Sequence, residues 1–112
     1  MYVVVWRYRV DPACEAKFVK AYRPGGDWAR LFSASPDYLG TELLADDERP
    51  GEYVTIDRWT REEAYSAFLA DHEADYDRLD RGCERYTLQE ARIGAYGSLD
   101  GKPGAAGRRS GG

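Results

Sequence analysis

Histidine occurs once in this 112-residue chain and cysteine twice. A lone imidazole leaves a dedicated transition-metal site short of its usual ligands. The two cysteines, Cys14 and Cys83, both fall on predicted helices and read as buried, reduced thiols of a cytoplasmic protein, not as a disulfide framework. No stretch approaches the roughly 20 apolar residues that a membrane-spanning helix needs. The apolar opening at residues 2–5 is too short for a signal peptide, and arginines follow at once. Nor is there a basic excess. The net charge is −4 with the acidic residues dispersed, which argues against a nucleic-acid footprint.

Aromatic side chains are abundant instead: three tryptophans, nine tyrosines and three phenylalanines. That load suits a packed core and not a disordered chain. The length fits one domain. A chain this short buries only about two-thirds of its unfolded surface, so association is a natural source of stability. Residues 1–96 carry the structure-forming pattern. Residues 97–112 are glycine-rich, have almost nothing to bury, and read as a disordered tail.

Residues 2–10 form the first expected strand. Tyr2, Val4, Trp6, Tyr8 and Val10 share one face of it; Val3, Val5, Arg7 and Arg9 share the other. Asp11-Pro12 starts a helix, with aspartate as the cap and proline in the first position. Cys14, Phe18, Ala21 and Tyr22 give that helix a buried stripe, and Pro24-Gly25-Gly26 ends it. A short helix capped by Asp27 presents Trp28, Leu31 and Phe32. Strands at 38–44 and 53–59 flank a polar hairpin loop. Thr60 and Glu63 spell a capping box for one long helix over residues 61–84. Along it Tyr65, Phe68, Leu69, His72, Tyr76, Leu79 and Cys83 recur at the helical period. Asp71, Glu73, Asp75, Asp77, Arg78 and Asp80 fall off that stripe, toward solvent. A fourth strand at 85–95 has imperfect alternation, with Tyr86, Leu88, Ala91 and Ile93 as its apolar members. This order predicts an α+β, ferredoxin-like β-α-β-β-α-β fold: a four-stranded antiparallel sheet with helices on one face. The other face, bearing Val3, Val5, Val54 and Ile56, has no element left to cover it. A second copy of the chain is the economical cover, giving a homodimer.

The strand ending Val10-Asp11-Pro12, the glycine-bearing Tyr38-Leu39-Gly40-Thr41-Glu42, the run Tyr53-Val54-Thr55-Ile56-Asp57-Arg58-Trp59, and then Glu63-Ala64, Phe68 and His72 resemble the antibiotic biosynthesis monooxygenase family. The resemblance covers about residues 2–96. It implies a dimeric α+β barrel with a ligand cavity between sheet and helices in each subunit. Activities in this family are diverse. Some members oxidise polyketide-derived phenols to quinones with dioxygen and no prosthetic group; others bind and degrade haem; fold membership alone does not choose between them.

The lone His72 has two readings. It is a general base or hydrogen-bond donor in the pocket, or a buried imidazole satisfied by a backbone or carboxylate partner. The resemblance adds a third, an axial haem ligand. Trp6, Tyr8, Trp28, Phe32, Trp59, Tyr65 and Phe68 read either as aromatic walls for a flat ligand or as ordinary core. Asp57 is a strand carboxylate that either orients His72 or an arginine in the pocket or pairs with Arg58 or Arg61 at the surface. The chain has no asparagine. The resemblance implies that haem-degrading members carry one on the first strand, where Trp6 stands here, and that phenol-oxidising members use one too. The expected function is therefore cofactor-independent monooxygenation of a small phenolic, quinol-like substrate, with His72 taking the proton. The rivals are a non-catalytic small-molecule-binding or stress-response dimer, and a haem-binding protein lacking the haem-degrading asparagine. A deprotonating group in contact with the cavity would favour the enzyme. A wholly apolar cavity, or a His72 ring turned away from it, would favour the binder.

Overall fold

A computed structural model describes residues 1–99 of the chain. Most of the expected tail lies outside the described residues. Strand β1 (Tyr2–Val10) leads through a 3-10 turn to helix α1 (Glu15–Tyr22) and short helix α2 (Asp27–Phe32). Strands β2 (Tyr38–Ala45) and β3 (Glu52–Trp59) form a hairpin, helices α3 (Glu62–Asp71) and α4 (Glu73–Cys83) follow, and β4 (Thr87–Gly97) closes the sheet. The strand order is β2-β3-β1-β4 with every neighbouring pair antiparallel. This is the ferredoxin-like α+β fold that the element order predicts.

Alternation along the two central strands assigns the faces. Val4, Tyr8 and Val10 of β1 and Thr55 and Trp59 of β3 are buried beneath the helices. Phe18, Ala21 and Tyr22 of α1, Trp28 and Phe32 of α2, Phe68 of α3 and Cys83 of α4 close over them. Cys14 and Cys83 are both free thiols. At the α1–α2 corner Gly25 takes a φ of 78°, which glycine adopts without steric cost. A Cβ on Gly26 would lie 2.5 Å from the Lys20 carbonyl oxygen, so the corner that aims Trp28 inward needs glycine.

Both edge strands slip against their neighbours, β2 once and β4 twice, the second time between Gln89↔Arg9 and Thr87↔Val10. In β2 the pairing steps from Tyr38↔Trp59 directly to Gly40↔Arg58, leaving Leu39 bulged. In β4 it steps from Gly94↔Val5 to Arg92↔Trp6, leaving Ile93 bulged. One extra residue exchanges the two faces of everything beyond it. Thr41 thereby comes opposite Asp57, and Glu90 opposite Tyr8, both on the helix-covered face.

Two local expectations are corrected. Thr60 is no helix cap: its hydroxyl donates to Asp37 Oδ1 at 2.9 Å and its amide to the Asp37 carbonyl at 2.9 Å. It ties the end of β3 to the start of β2, and α3 begins after an extended Arg61 with no side-chain cap. The expected long helix is two helices. His72, at φ −120° and ψ 28°, ends α3 and precedes α4. The buried stripe nevertheless runs through the break from Phe68 to Cys83.

The opposite face of the sheet is open. Val3, Val5, Val54 and Ile56 are half-buried by their strand neighbours alone, and Leu44 and Tyr96 are 45% and 53% exposed. Arg58 pairs with Glu42 there.

Candidate functional site

Between the sheet and the helices lies a small cleft. The centres of water-sized molecules have about 50 Å³ in which to sit, room for a few waters. Its floor is built by β1 and β3, with Trp6, Tyr8, Thr55 and Asp57; Thr41 joins from β2 and Glu90 from β4. Tyr22, Trp28 and Phe32 form one wall, Tyr65, Tyr76 and Asp80 the other. Trp6 and Tyr8 stack with centroids 6.4 Å apart, and Trp28 meets Tyr76 edge-on at 5.0 Å.

Asp57 is the central polar group. Burial pushes its carboxyl up to about 6, against a partial opposing pull from the Thr41 hydroxyl. Thr41 donates to Asp57 Oδ1 at 2.6 Å, and the Tyr38 hydroxyl bonds in turn to Thr41. A hydroxyl chain thus runs from Tyr38 to one carboxylate oxygen. The Tyr8 and Thr55 hydroxyls share a 3.3 Å contact on the floor. Burial drives Tyr8, Tyr22 and Tyr76 well above the ordinary phenol range, so they remain hydrogen-bond donors. The indole N–H groups of Trp28 and Trp59 are buried, and among the described residues that of Trp59 has no hydrogen-bond partner; that of Trp28 lies by the Tyr22 hydroxyl and the Cys83 thiol.

Of the residues singled out by sequence, Trp6, Tyr8, Trp28, Phe32, Asp57 and Tyr65 line the cleft. Trp59 and Phe68 are core, 0% and 3% exposed. His72 is not among the lining residues. Its ring stacks on Phe68 at 4.5 Å, and its Nδ1 lies 3.9 Å from Asp75 Oδ2. The helix break accounts for this, because the residue between two helices does not follow the stripe that places Phe68 and Tyr76. Thr41, Thr55, Tyr22, Tyr76, Asp80 and Glu90 complete the lining without having been singled out. Tyr76 was on the helical stripe, and Thr55 alternates with Asp57. Asp80 is exposed, as expected, and also reaches the edge of the cleft, because it stands one turn beyond Tyr76 and shares its face.

Haem does not fit these residues. The sole imidazole lies outside the cleft, and Trp6 fills the floor where a macrocycle would need space. Among the described residues no three His, Cys, Asp or Glu side chains converge as a metal site. No helix among them is long and apolar enough to cross a membrane.

An antiparallel ferredoxin-like sheet with an aromatic cleft under its helices defines the structural class. The chain belongs to the antibiotic biosynthesis monooxygenase family, whose model matches residues 1–75. Among solved structures, a mutant of SnoaB, described as a cofactor-independent oxygenase from Streptomyces nogalater, is 21% identical with a TM-score of 0.69, covering 91% of this chain and 96% of that one. A protein of Nitrosomonas europaea provisionally assigned as an antibiotic biosynthesis monooxygenase is 16% identical at TM-score 0.65, covering 88% and 99%. PA3566 from Pseudomonas aeruginosa is 15% identical at TM-score 0.60, covering 88% and 93%. At these identities the likeness carries the fold alone. No curated protein matches the chain significantly.

Proposed function

We propose that the protein is a cofactor-independent monooxygenase for a small, electron-rich phenol, with Asp57 as the base. The observation that carries this is the Asp57 carboxylate, raised to about 6 by burial, on the floor of a cleft walled largely by aromatic rings. Such a group is ionised at neutral pH yet basic enough to accept a proton. Asp57 takes the phenol proton. The phenolate gives one electron to dioxygen, and the resulting radical and superoxide join at a ring carbon. Loss of water from that hydroperoxide leaves the carbonyl. The balance is phenol plus dioxygen to quinone plus water, so dioxygen supplies the new quinone oxygen and the phenol supplies all the electrons. Trp6, Tyr8 and Trp28 would hold the ring. The name of SnoaB and the family's own name support the reading by analogy only.

We also propose that two copies pair through Val3, Val5, Val54 and Ile56, the apolar face that no element covers. His72 lies off the cleft lining, which by itself supports the binding-module reading; Asp57, a deprotonating group in contact with the cleft, supports the enzyme reading and is the base we propose.

Oxygen uptake with 1-naphthol and ¹⁸O₂ tests the reading. One dioxygen should be consumed per 1,4-naphthoquinone, with one labelled oxygen in the product. Turnover should fall at least about a hundredfold in Asp57→Asn. No uptake by the parent protein would remove the oxidation and leave a binding module.

A further inference from the structure

Tyr38 and Thr41 lie three positions apart in β2, and in a regular strand an odd separation puts two side chains on opposite faces. The bulge at Leu39 brings both to the helix-covered face. Gly40 follows it at φ 136°, a conformation that other residues rarely adopt, so that glycine writes the bulge into the sequence. Tyr38 consequently packs on Phe32 and Trp59, while Thr41 stands opposite Asp57.

The bulge aims a hydroxyl. Thr41 Oγ1 donates to Asp57 Oδ1 at 2.6 Å. An ionised carboxylate only accepts, so the Thr41 proton is committed to it, and in the Tyr38–Thr41 bond the Tyr38 hydroxyl must then donate. The chain has one direction, from Tyr38 through Thr41 to Asp57, and it ends on a single oxygen. Oδ2 receives no hydrogen bond among the described residues, and Asp57 lines the cleft. Two hydroxyls polarised in series favour the charged carboxylate, against the burial that disfavours it. The other titratable groups of the cleft are Tyr8 from β1, Tyr22 from α1, Tyr65 from α3, Tyr76 and the exposed Asp80 from α4, and the exposed Glu90 from β4. Helix α2 presents only Trp28 and Phe32, and Arg92 of β4 acts on Tyr65 from outside the lining. Among the described residues, Thr41 is the one group whose effect on Asp57 favours ionisation.

We propose that Thr41 and Tyr38 are positioning residues for Asp57: their hydroxyl chain, set in place by the Leu39 bulge, occupies Oδ1, keeps the carboxylate ionised and leaves Oδ2 as the oxygen that meets the ligand. The assignment deepens the reading of Asp57 as the base and rests on it. Neither hydroxyl touches the reacting atoms; both act through the carboxylate.

The test follows the Asp57 side-chain carboxyl carbon by NMR against pH in the full chain, with 1-naphthol oxidation measured in parallel. The parent carboxyl should titrate near 6. Thr41→Val keeps the shape of the side chain and loses the donor, and should move that midpoint up by about one to two pH units. Thr41→Ser should restore it. Tyr38→Phe keeps the ring packing and should move it the same way by a smaller amount; it carries the test should Thr41→Val not fold. In Thr41→Val, kcat/KM should fall about tenfold at pH 6.5, and the loss should shrink as pH rises to 8.5. A midpoint unmoved in both variants, or a rate loss equal at every pH, would overturn the inference. Naphthol oxidation with an unmoved midpoint would keep the oxygenase and drop the positioning role. A midpoint that moves as expected without oxygen uptake by the parent would keep the hydroxyl chain's hold on Asp57 and drop the oxidation.

Discussion

The two faces of one sheet are written by alternate residues of the same strands, and they have different chemistry. On the two central strands, the face under the helices carries Trp6, Tyr8, Thr55, Asp57 and Trp59: large aromatics with hydroxyls and the Asp57 carboxylate. The open face carries Val3, Val5, Val54 and Ile56, with Arg58 paired to Glu42 at its margin. The first is closed by its own chain and leaves a cleft because its bulky rings do not fill the space over Asp57. The second is smooth and β-branched, a surface suited to another sheet. One set of strands thus separates the proposed ligand site from the proposed association surface, and substitutions on the two faces should have different readouts.

The largest effect should come from the closed face. Trp59 is fully buried and touches Phe32, Tyr38, Tyr65 and Phe68. Trp59→Ala should cost about 3–5 kcal/mol. Denaturant melts should show the same loss at every protein concentration. Next is Asp57→Asn, with at least about a hundredfold loss of turnover, about 2.7 kcal/mol. In the parent, kcat/KM should fall as pH drops through about 6. The same residue makes an opposite prediction for stability. Its folded carboxyl is raised from 3.8 to about 6, so the folded state holds the proton more tightly across that window. The stability that this carboxyl contributes is full below about pH 4 and is lost as pH rises through 6, on the order of 3 kcal/mol. Asp57→Asn should therefore be more stable than the parent at pH 8 and equal to it near pH 3.5, as measured by paired thermal melts. A variant less stable at pH 8 would show that the carboxylate is not held against its solvation preference.

On the open face, Val5→Lys should act through assembly. An ammonium in the centre of the proposed interface has no partner there. Sedimentation should show monomers at concentrations where the parent is dimeric, while the monomer keeps its circular dichroism. A parent that sediments as a monomer at micromolar concentration would remove the dimer. The smallest effect should be that of His72→Ala. It gives up a ring stack on Phe68 and a loose approach to Asp75, about 0.5–1.5 kcal/mol, and turnover should stay within about threefold. A large loss of rate would return His72 to the mechanism.

Much of this was legible from residue order. Alternation in β1 and β3 separates Trp6, Tyr8 and Asp57 from Val5 and Ile56 without any structure. What stayed hidden lies at three single-residue events. The bulge at Leu39 brings Thr41 under the helices and the bulge at Ile93 brings Glu90 there. A strict two-residue period would assign both to the wrong face. The irregular pattern of the last strand was the visible trace of the second bulge. The third event is the break at His72. The 3.6-residue stripe passes straight through it, so periodicity reports one helix where there are two. The imidazole drew attention as the lone histidine on that stripe, while Asp57, whose pKa depends on burial and on Thr41, stood out much less.

That break has a consequence for how anything reaches the cleft. It leaves helical segments of 10 and 11 residues, each shorter than a helix that holds in water unaided. α4 has only Cys83 fully buried, yet it supplies Tyr76 and Asp80 to the wall. It has fewer buried side chains than α3, so a local opening there would expose the cleft while the sheet stays intact. Amide hydrogen exchange should accordingly be faster across α4 than in β1 or β3, and a bound aromatic should slow it there first. Access to the cleft would then be limited by the local opening of a single eleven-residue helix.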